Sequence, residues 1–238
     1  MKDSSDKQRT SRTAILMLVA ATVIAVVAAA AVPTYSLDTS HTGALDRGFP
    51  HHYTDDSGLK LKLCVDGTGR CLNAVRGDLV APAGEALYWA AAATLRSRRG
   101  PIDIEFALEA AFNDRGRPIV FDRIRIRGHL GRAGRYVLRH PYGQTRFRAV
   151  TPREQRNVDR TIDLSCSIER NGPCRGRITK FLRARNHPPG YAGFGERPTR
   201  VKGGTVRNHL VLRTRQGRVI GTTDKLAVLG KISGRVGQ

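Results

Sequence analysis

Four cysteines are the residues of this chain whose spacing most directly implies chemistry. They form two close pairs, Cys64 with Cys71 in CVDGTGRC and Cys166 with Cys174 in CSIERNGPC. Outside the cytoplasm an even number of cysteines indicates disulfides, and four cysteines permit three connectivities. Each pair brackets a short segment containing Gly or Pro, so we predict two local disulfides. The alternative is one zinc site built from all four thiolates, although the spacing within each pair is wider than is usual for zinc ligands.

Histidines near acidic residues raise the question of metal binding or acid–base catalysis. His51 and His52 lie close to Asp55 and Asp56. Adjacent side chains of a strand point in opposite directions, so a solvated loop explains this cluster better than a metal site. His140, in the phrase RHPYG, is interpreted as the last residue of a strand rather than as a general base.

Carboxylate pairs and nucleophile motifs give no stronger signal of catalysis. Glu105 and Glu109 have the residue type of a glycosidase pair, but they alternate with apolar residues and share a predicted solvent face with Asp103. We interpret them as an exposed acidic ladder. No GxSxG motif or phosphate-binding glycine loop is present. The sequence therefore predicts no catalytic residue, no metal and no cofactor, and favours a protein that is not an enzyme.

Positive charge is the strongest remaining feature. The chain carries 41 Lys and Arg against 20 Asp and Glu, a net charge of +21, and residues 123–218 hold 24 of these bases with only five acids. The arginines expected to form stripes on strand faces are Arg123, Arg125, Arg127, Arg146, Arg148, Arg207, Arg213 and Arg215. Clustered guanidinium groups attract phosphate and carboxylate polymers. We predict anionic envelope polymers or lipid headgroups as partners; a solvated face in an arginine-rich proteome is the alternative.

The N-terminal segment predicts export. Residues 13–32 are uncharged and mostly apolar, and they follow a basic segment containing Arg9 and Arg12. Residues 1–31 fit a signal peptide cleaved after Ala31, and the same run is long enough to span a bilayer as an uncleaved anchor. In either case the remainder of the chain lies outside the cytoplasm, so the protein is either secreted or anchored to the cell membrane. Sequence-specific nucleic-acid reading is therefore not expected.

Strands must position all of these residues. Residues 59–65 and 102–112 alternate apolar and polar side chains, and residues 86–95 form a hairpin with 102–112 across the turn RSRRGP. Further strands are predicted near 118–127, 135–140, 145–150, 205–214 and 225–232. Short strands separated by turns favour an all-β fold, an antiparallel β-sandwich of Ig-like or Greek-key type over residues 58–238. Residues 32–57 are interpreted as a linker.

Two local features modify this pattern. Asp122 falls among the inward-facing residues of its strand, which predicts a β-bulge near that position. Residues 186–204 hold three prolines and five glycines and are predicted to form a long loop, either pinned by Tyr191 and Phe194 or used for binding.

Several phrases together resemble a family of secreted proteins from actinobacteria and myxobacteria. They are GFPHHYTDDSGLKLKLC, GEALYWAAAAT, IVFDRIRIRG, YVLRHPYG, HPPGYAGF and TTDKLAVLGKI. The similarity extends from about Gly48 to Ile232 and includes the placement of both cysteine pairs. It implies an exported β-rich domain, and it supplies no activity, ligand or catalytic residue.

These observations favour a non-catalytic, envelope-associated binding or structural domain with a basic face for anionic polymers. The enzyme alternative is a secreted hydrolase of envelope polymers with its site near His140 and residues 186–204. A third class is a structural module that requires a protein partner. A cleft with convergent acids would favour the hydrolase, whereas a continuous arginine-rich surface would favour binding.

Overall fold

The structure is a computed structural model that describes residues 34–36, 45–46, 49–50, 52–64, 70–71, 85–98, 100–167, 173–175 and 177–233. All of them belong to one compact unit, Val32–Gln238. The strands are β1 Thr34–Ser36, β2 Leu45–Asp46, β3 Phe49–Pro50, β4 His52–Thr54, β5 Lys60–Lys62, β6 Glu85–Ser97, β7 Gly100–Phe112, β8 Pro118–Gly128, β9 Gly134–His140, β10 Gly143–Ala149, β11 Val158–Ser167, β12 Pro173–Arg175, β13 Arg183–Ala184, β14 Gly195–Lys202, β15 Leu210–Thr214, β16 Val219–Thr223 and β17 Lys225–Ile232. One short helix, α1 Pro152–Arg156, lies between β10 and β11.

Two large antiparallel sheets form most of the fold, and two small two-stranded sheets, β1 with β12 and β2 with β3, accompany them in the described part of the chain. In the larger sheet the strand order is β11-β8-β7-β6-β17-β14-β13, with β5 pairing with β17 and β4 pairing with β5. In the smaller sheet the order is β10-β9-β15-β16. The predicted all-β sandwich is therefore confirmed. β8 and β11 are neighbours in one sheet although the hairpin β9–β10 between them belongs to the other, which is the kind of connection used in Greek-key sandwiches.

Alternation of side chains builds the core between the sheets. On β7, Ile102, Ile104 and Phe106 are almost completely buried, whereas Asp103 between them is exposed. β9 and β15 contribute their own alternating apolar sets from the smaller sheet. Because successive strand residues point to opposite faces, this pattern fixes which residues reach the outer surface. The hairpin predicted between β6 and β7 is confirmed, with Ser97 opposite Gly100 at its turn.

The crossover from β10 to β11 joins an edge strand of each sheet. Thr151 is the N-cap of α1: its hydroxyl accepts from the Glu154 N–H, and the Glu154 carboxylate accepts from the Thr151 N–H. This capping box fixes where the short helix begins. The crossover thus holds the edges of β10 and β11 beside a common groove.

The predicted β-bulge at Asp122 is wrong. The β7–β8 and β8–β11 registers both continue through this residue, which is 1% exposed. Its Oδ2 accepts from the backbone N–H groups of Arg177 and Ile178. A carboxylate can occupy the inward set because these two donors replace part of its hydration, so no bulge is needed to turn it outward.

The predicted loop 186–204 is too long. It ends at Phe194, because Gly195–Lys202 forms β14 and pairs with β17. The remaining turn is held against β17, where Ala192 N–H donates to the Gly230 carbonyl and Ile232 N–H donates to the Gly190 carbonyl. At Gly193 a Cβ atom would lie 2.3 Å from the Val228 carbonyl oxygen, so the close approach requires glycine. The turn is pinned to the sheet by its backbone.

The structure also assigns part of residues 32–57 to the sandwich. Phe49 and Tyr53 are completely buried in the core, and β4 pairs with β5. Strands of two or three residues are too short to show a period in sequence, so the pattern of residues 32–57 resembles that of a linker.

Residues 13–32 lie outside the described residues, as do Val65 and His51 and the side chains of Cys166 and Cys174. Among the helices that the structure does describe, none combines the length and apolar character needed to cross a bilayer. The export and anchoring predictions therefore stay predictions. The predicted disulfide between Cys64 and Cys71 is present, and disulfides are typical of proteins outside the reducing cytoplasm.

Removing this disulfide should lower the stability of the domain. Its partners are seven residues apart, and a loop of that length predicts a loss of about 2–3 kcal/mol in the free energy of unfolding. Cys64 is completely buried beside β6, where its N–H donates to the Leu87 carbonyl, so alanine suits the site better than serine. We expect C64A/C71A to unfold at lower denaturant concentration than the oxidised protein. Equal midpoints would contradict a stabilising role.

Candidate anion-binding groove

A groove of about 1290 Å³ lies where the edge strands β10 and β11 meet α1 and the ends of β9 and β15. Its arginines are Arg135, Arg146, Arg148, Arg153, Arg160, Arg213 and Arg215. Glu154 and Asp159 are the acidic residues that line it. The groove is therefore strongly positive, and its charge comes from five separate elements of the fold.

The register of the smaller sheet brings several of these arginines together in rows. Arg148 lies directly opposite Arg135, and Arg215 N–H donates to the Arg135 carbonyl at 2.8 Å. In the next row Arg146 and Arg213 lie on either side of Val137. Directly opposite residues of antiparallel strands have Cβ atoms about 5 Å apart, and like charges so placed repel each other. The outer face of this sheet therefore concentrates unfavourable charge.

Carboxylates within the described part of the chain do not relieve this repulsion. None of the seven groove arginines is within ion-pair distance of an acidic side chain there, and the Asp159 carboxylate pairs with Arg127 at 3.3 Å. Hydrogen bonds from the backbone N–H groups of Thr151 and Val150 lower the pKa of the exposed Glu154 carboxyl, and the positive charge of Arg148 adds to this. Both groove acids are engaged in local interactions.

In the larger sheet, the arginines of β8 are paired with other side chains of the protein. Strand β8 presents Arg123, Arg125 and Arg127 between acidic residues of β7 and β11. Arg123 contacts Glu109 at 2.8 Å and binds Asp163 through two hydrogen bonds. Each arginine of this stripe thus has an internal partner.

Arg125 and Arg127 have weaker pairings of the same kind. Arg125 lies 3.6 Å from Glu105 and its Nε donates to the Thr161 hydroxyl, while Arg127 pairs with Asp159. The prediction of an exposed acidic ladder is wrong for Glu109, which is 3% exposed. The alternation placed Glu109 on the outer face correctly, but the Arg123 side chain covers it there.

The structure brings four of the eight predicted arginines into the groove: Arg146, Arg148, Arg213 and Arg215. Arg207 is exposed between β14 and β15 and does not line it. Sequence reasoning missed Arg135, Arg153 and Arg160. The signal for Arg135 was available, because a hairpin closed at His140-Pro-Tyr-Gly places it opposite Arg148.

Two aromatic residues alternate with the groove arginines along β9 and β10, so their rings point to the core-facing side of the smaller sheet. Phe147 is half-buried and stacks on Tyr136, with ring centroids 5.6 Å apart and an angle of 21° between the ring planes. Both residues line the groove. Burial raises the pKa of the Tyr136 hydroxyl, which donates to the Arg132 carbonyl. The groove therefore reaches the half-buried Phe147 ring only from the core-facing side of β10, and Tyr136 is almost completely buried.

His140 lies away from this groove, in the core. It is 2% exposed at the end of β9, where Tyr142 N–H donates to its Nδ1 at 3.3 Å and its Nε2 lies 3.1 Å from the Thr145 hydroxyl. Burial lowers the pKa of its imidazole to about 4, and the charge of Arg177 acts in the same direction. The ring also packs 5.3 Å from Phe106. The strand-end interpretation is consistent with this position.

Two buried carboxylates, Asp55 and Asp122, accept hydrogen bonds from backbone N–H groups of residues 177–181. The Oδ1 atom of Asp55 accepts from Ser57 and Leu59, and its Oδ2 accepts from Phe181 N–H at 2.8 Å. Asp122 accepts in the same way from the backbone N–H groups of Arg177 and Ile178. Within the described residues, no three His, Cys, Asp or Glu side chains are grouped as metal ligands.

Comparison with known proteins adds no further assignment. The chain matches no family model, no curated protein and no solved structure. The resemblance to secreted actinobacterial and myxobacterial proteins therefore stays a prediction. The geometry and charge of the groove are the features of the molecule that bear on its function.

Proposed function

We propose that this protein is a non-catalytic binding domain that holds an anionic polymer along the arginine groove. The observation that carries the proposal is the contrast between the two sheets. Arginines of β8 have acidic or hydroxyl partners, whereas Arg148 and Arg135 lie directly opposite each other on β10 and β9. Arg146 and Arg213 flank Val137 in the next row. Such an arrangement costs stability unless an anion from outside the chain occupies it.

The predicted location agrees with this role. A protein exported by residues 13–32 meets teichoic acids, acidic glycans, phospholipid headgroups and extracellular DNA. If residues 1–31 are cleaved, the domain is secreted; if they are retained, it is held next to the membrane surface. Guanidinium groups suit either setting because they bind phosphate and carboxylate oxygens through two parallel hydrogen bonds.

The hydrolase alternative has less support from the geometry. Its proposed residue, His140, is enclosed by the core and has both ring nitrogens engaged. The acids of the groove are also engaged, Glu154 in the helix cap and Asp159 in an ion pair. General acid–base catalysis requires groups within reach of the substrate, and these positions do not provide them.

Removing two positive charges from the groove should weaken polymer binding more than removing two positive charges elsewhere on the protein. We expect R146A/R148A to bind oligo(dT) about tenfold more weakly than the unmodified protein. For a single strand, the slope of log K against log salt should become shallower by about 0.7 for each phosphate that the variant no longer neutralises. Binding is measured by retention of the full protein on immobilised polymer across a salt series.

The matched control removes the same charge elsewhere. Arg98 and Arg115 are exposed turn residues outside the groove, so R98A/R115A lowers the net charge equally. We expect this control to change binding less than threefold, through long-range attraction only. Equal losses for the two double variants on every polymer would show that binding follows net charge, and the groove would then have no special role.

A further inference from the structure

The spacing of the arginine rows indicates which kind of polyanion fits the groove. We infer that the ligand of the groove is a phosphodiester polymer with three carbon atoms between successive phosphates. This ligand class rests on the proposed function of the groove. A sugar–phosphate single strand and a poly(glycerol phosphate) chain share this chemistry.

The two rows are separated by the repeat of an antiparallel strand. Arg148 belongs to the row with Arg135 and Arg215, and Arg146 belongs to the row with Arg213. Arg146 and Arg148 are alternate residues on one face of β10, so the rows lie about 7 Å apart. Each row contains at least two arginines on the outer face of the smaller sheet.

A three-carbon phosphodiester chain has almost the same repeat. Its successive phosphorus atoms are separated by as many covalent bonds as alternate Cα atoms of a strand. An extended chain lying along β10 therefore places one phosphate at each row. Each phosphate then meets two or three guanidinium groups, and charge-assisted bidentate hydrogen bonds are strongest in that arrangement.

Other polyanions do not match this spacing. In polyphosphate the charges are separated by a single bridging oxygen, so they are much closer than the rows. In glycans with one carboxylate per disaccharide they are farther apart. Arg153 and Arg160, on α1 and β11, extend the positive lining for any of these ligands, but only the spaced phosphodiester satisfies both rows at once.

Phe147 distinguishes the two sources of this chemistry. Its half-buried ring lines the groove from the core-facing side of β10, opposite to the face that carries Arg146 and Arg148, and is stacked on Tyr136. A base of a single strand that turns over the open edge of β10 can stack on this ring, because aromatic side chains stack with any base. A glycerol phosphate chain has no ring to place there. Phe147→Leu keeps an apolar side chain against the core while it removes the stacking surface.

The test compares affinities of the full protein for four polymers matched in number of charges and salt concentration. They are oligo(dT), poly(glycerol phosphate), polyphosphate and hyaluronate, a glycan with one carboxylate per disaccharide. We expect the two phosphodiesters to bind at least tenfold more tightly than the other two, and R146A/R148A to remove that preference. If R146A/R148A weakens all four polymers alike, the groove binds polyanions without selecting spacing, and this inference is overturned while the proposed function stands. If it behaves like R98A/R115A on all four, both fail.

The variant Phe147→Leu distinguishes a nucleic-acid strand from a polyol phosphate as the ligand of the groove. A loss of about tenfold for oligo(dT) alone assigns the groove to a nucleic-acid strand. Unchanged affinity for both phosphodiesters, with poly(glycerol phosphate) bound at least as tightly, assigns it to a polyol phosphate. Unfolding midpoints of every variant are measured in parallel, so that a change in folding is not mistaken for a change in binding.

Discussion

Replacing Arg123 by Met should lower the free energy of unfolding by about 3–5 kcal/mol, because a buried carboxylate then loses its guanidinium partner. The side chains of Arg123 and Glu109 are only 9% and 4% exposed, and their charged atoms lie 2.8 Å apart. Arg123 also forms two hydrogen bonds with Asp163 and packs over the Phe121 ring at 4.8 Å. The loss should appear as a lower midpoint in urea unfolding.

Two further variants separate the charge effect from the effect of reduced packing. R123M/E109L replaces the pair by apolar side chains of similar size, and we expect it to recover most of the lost stability because no buried charge remains. R125M changes the next arginine on the same face, which is half-buried and 3.6 Å from Glu105, and it should cost no more than about 1 kcal/mol. If R123M and R125M have equal midpoints, the buried pair does not stabilise the sheet.

Acid should destabilise the protein through His140 between about pH 6.5 and pH 4. The imidazole pKa is about 4 in the folded protein and near 6.5 when unfolded, so the unfolded chain takes up the proton first. The stabilising contribution is complete above pH 6.5 and is lost as the pH falls through the folded pKa. Integrated over that interval, the loss approaches ~3 kcal/mol. Urea midpoints measured at several pH values give this slope.

His140→Asn isolates the contribution of the imidazole. An Asn side chain at this position retains an acceptor for the Tyr142 N–H two residues later, as in an Asx turn. We expect the variant to be less stable than the unmodified protein at pH 7 and to lose less stability on acidification. Burial raises the pKa of Asp122, which contributes in the opposite direction, and the difference between the two proteins removes that shared effect. Parallel pH profiles would exclude His140 as the origin.

The long strands were predictable because their sequences show a clear period. In 102–112 the apolar set alternates through the whole strand, and the turn RSRRGP marks the hairpin with β6. Strand β11 was missed: its residues Asp159, Thr161 and Asp163 are polar on one face, and Ile162 and Leu164 are only half-buried on the other. Strand β14 was hidden by Pro198 and by the glycines before it. Tertiary pairing with β17, rather than local preference, makes that segment a strand.

The groove was partly predictable for a different reason. Composition identified residues 123–218 as basic, and alternation identified Arg146 and Arg148 as outward-facing. What distinguishes these arginines from Arg123 is the identity of their neighbours on adjacent strands, which depends on register and sheet order. Asp163 lies on a strand that was not predicted, so the internal neutralisation of Arg123 could not be foreseen. Arg153 and Arg160 reach the groove only because α1 connects the two edge strands.

The position of β17 has a consequence for the order of folding. This strand lies inside the larger sheet, between β6 and β14, and its partner Ala92 on β6 is far from Ala227 in sequence. A chain is synthesised from its N-terminus, so β6, β7 and β8 can form their meander while one side of β6 still lacks its neighbouring strand. Pairings between distant segments also form slowly. The sheet is therefore completed only after residues 225–232 have emerged, and the export predicted from residues 13–32 would suit such a delay.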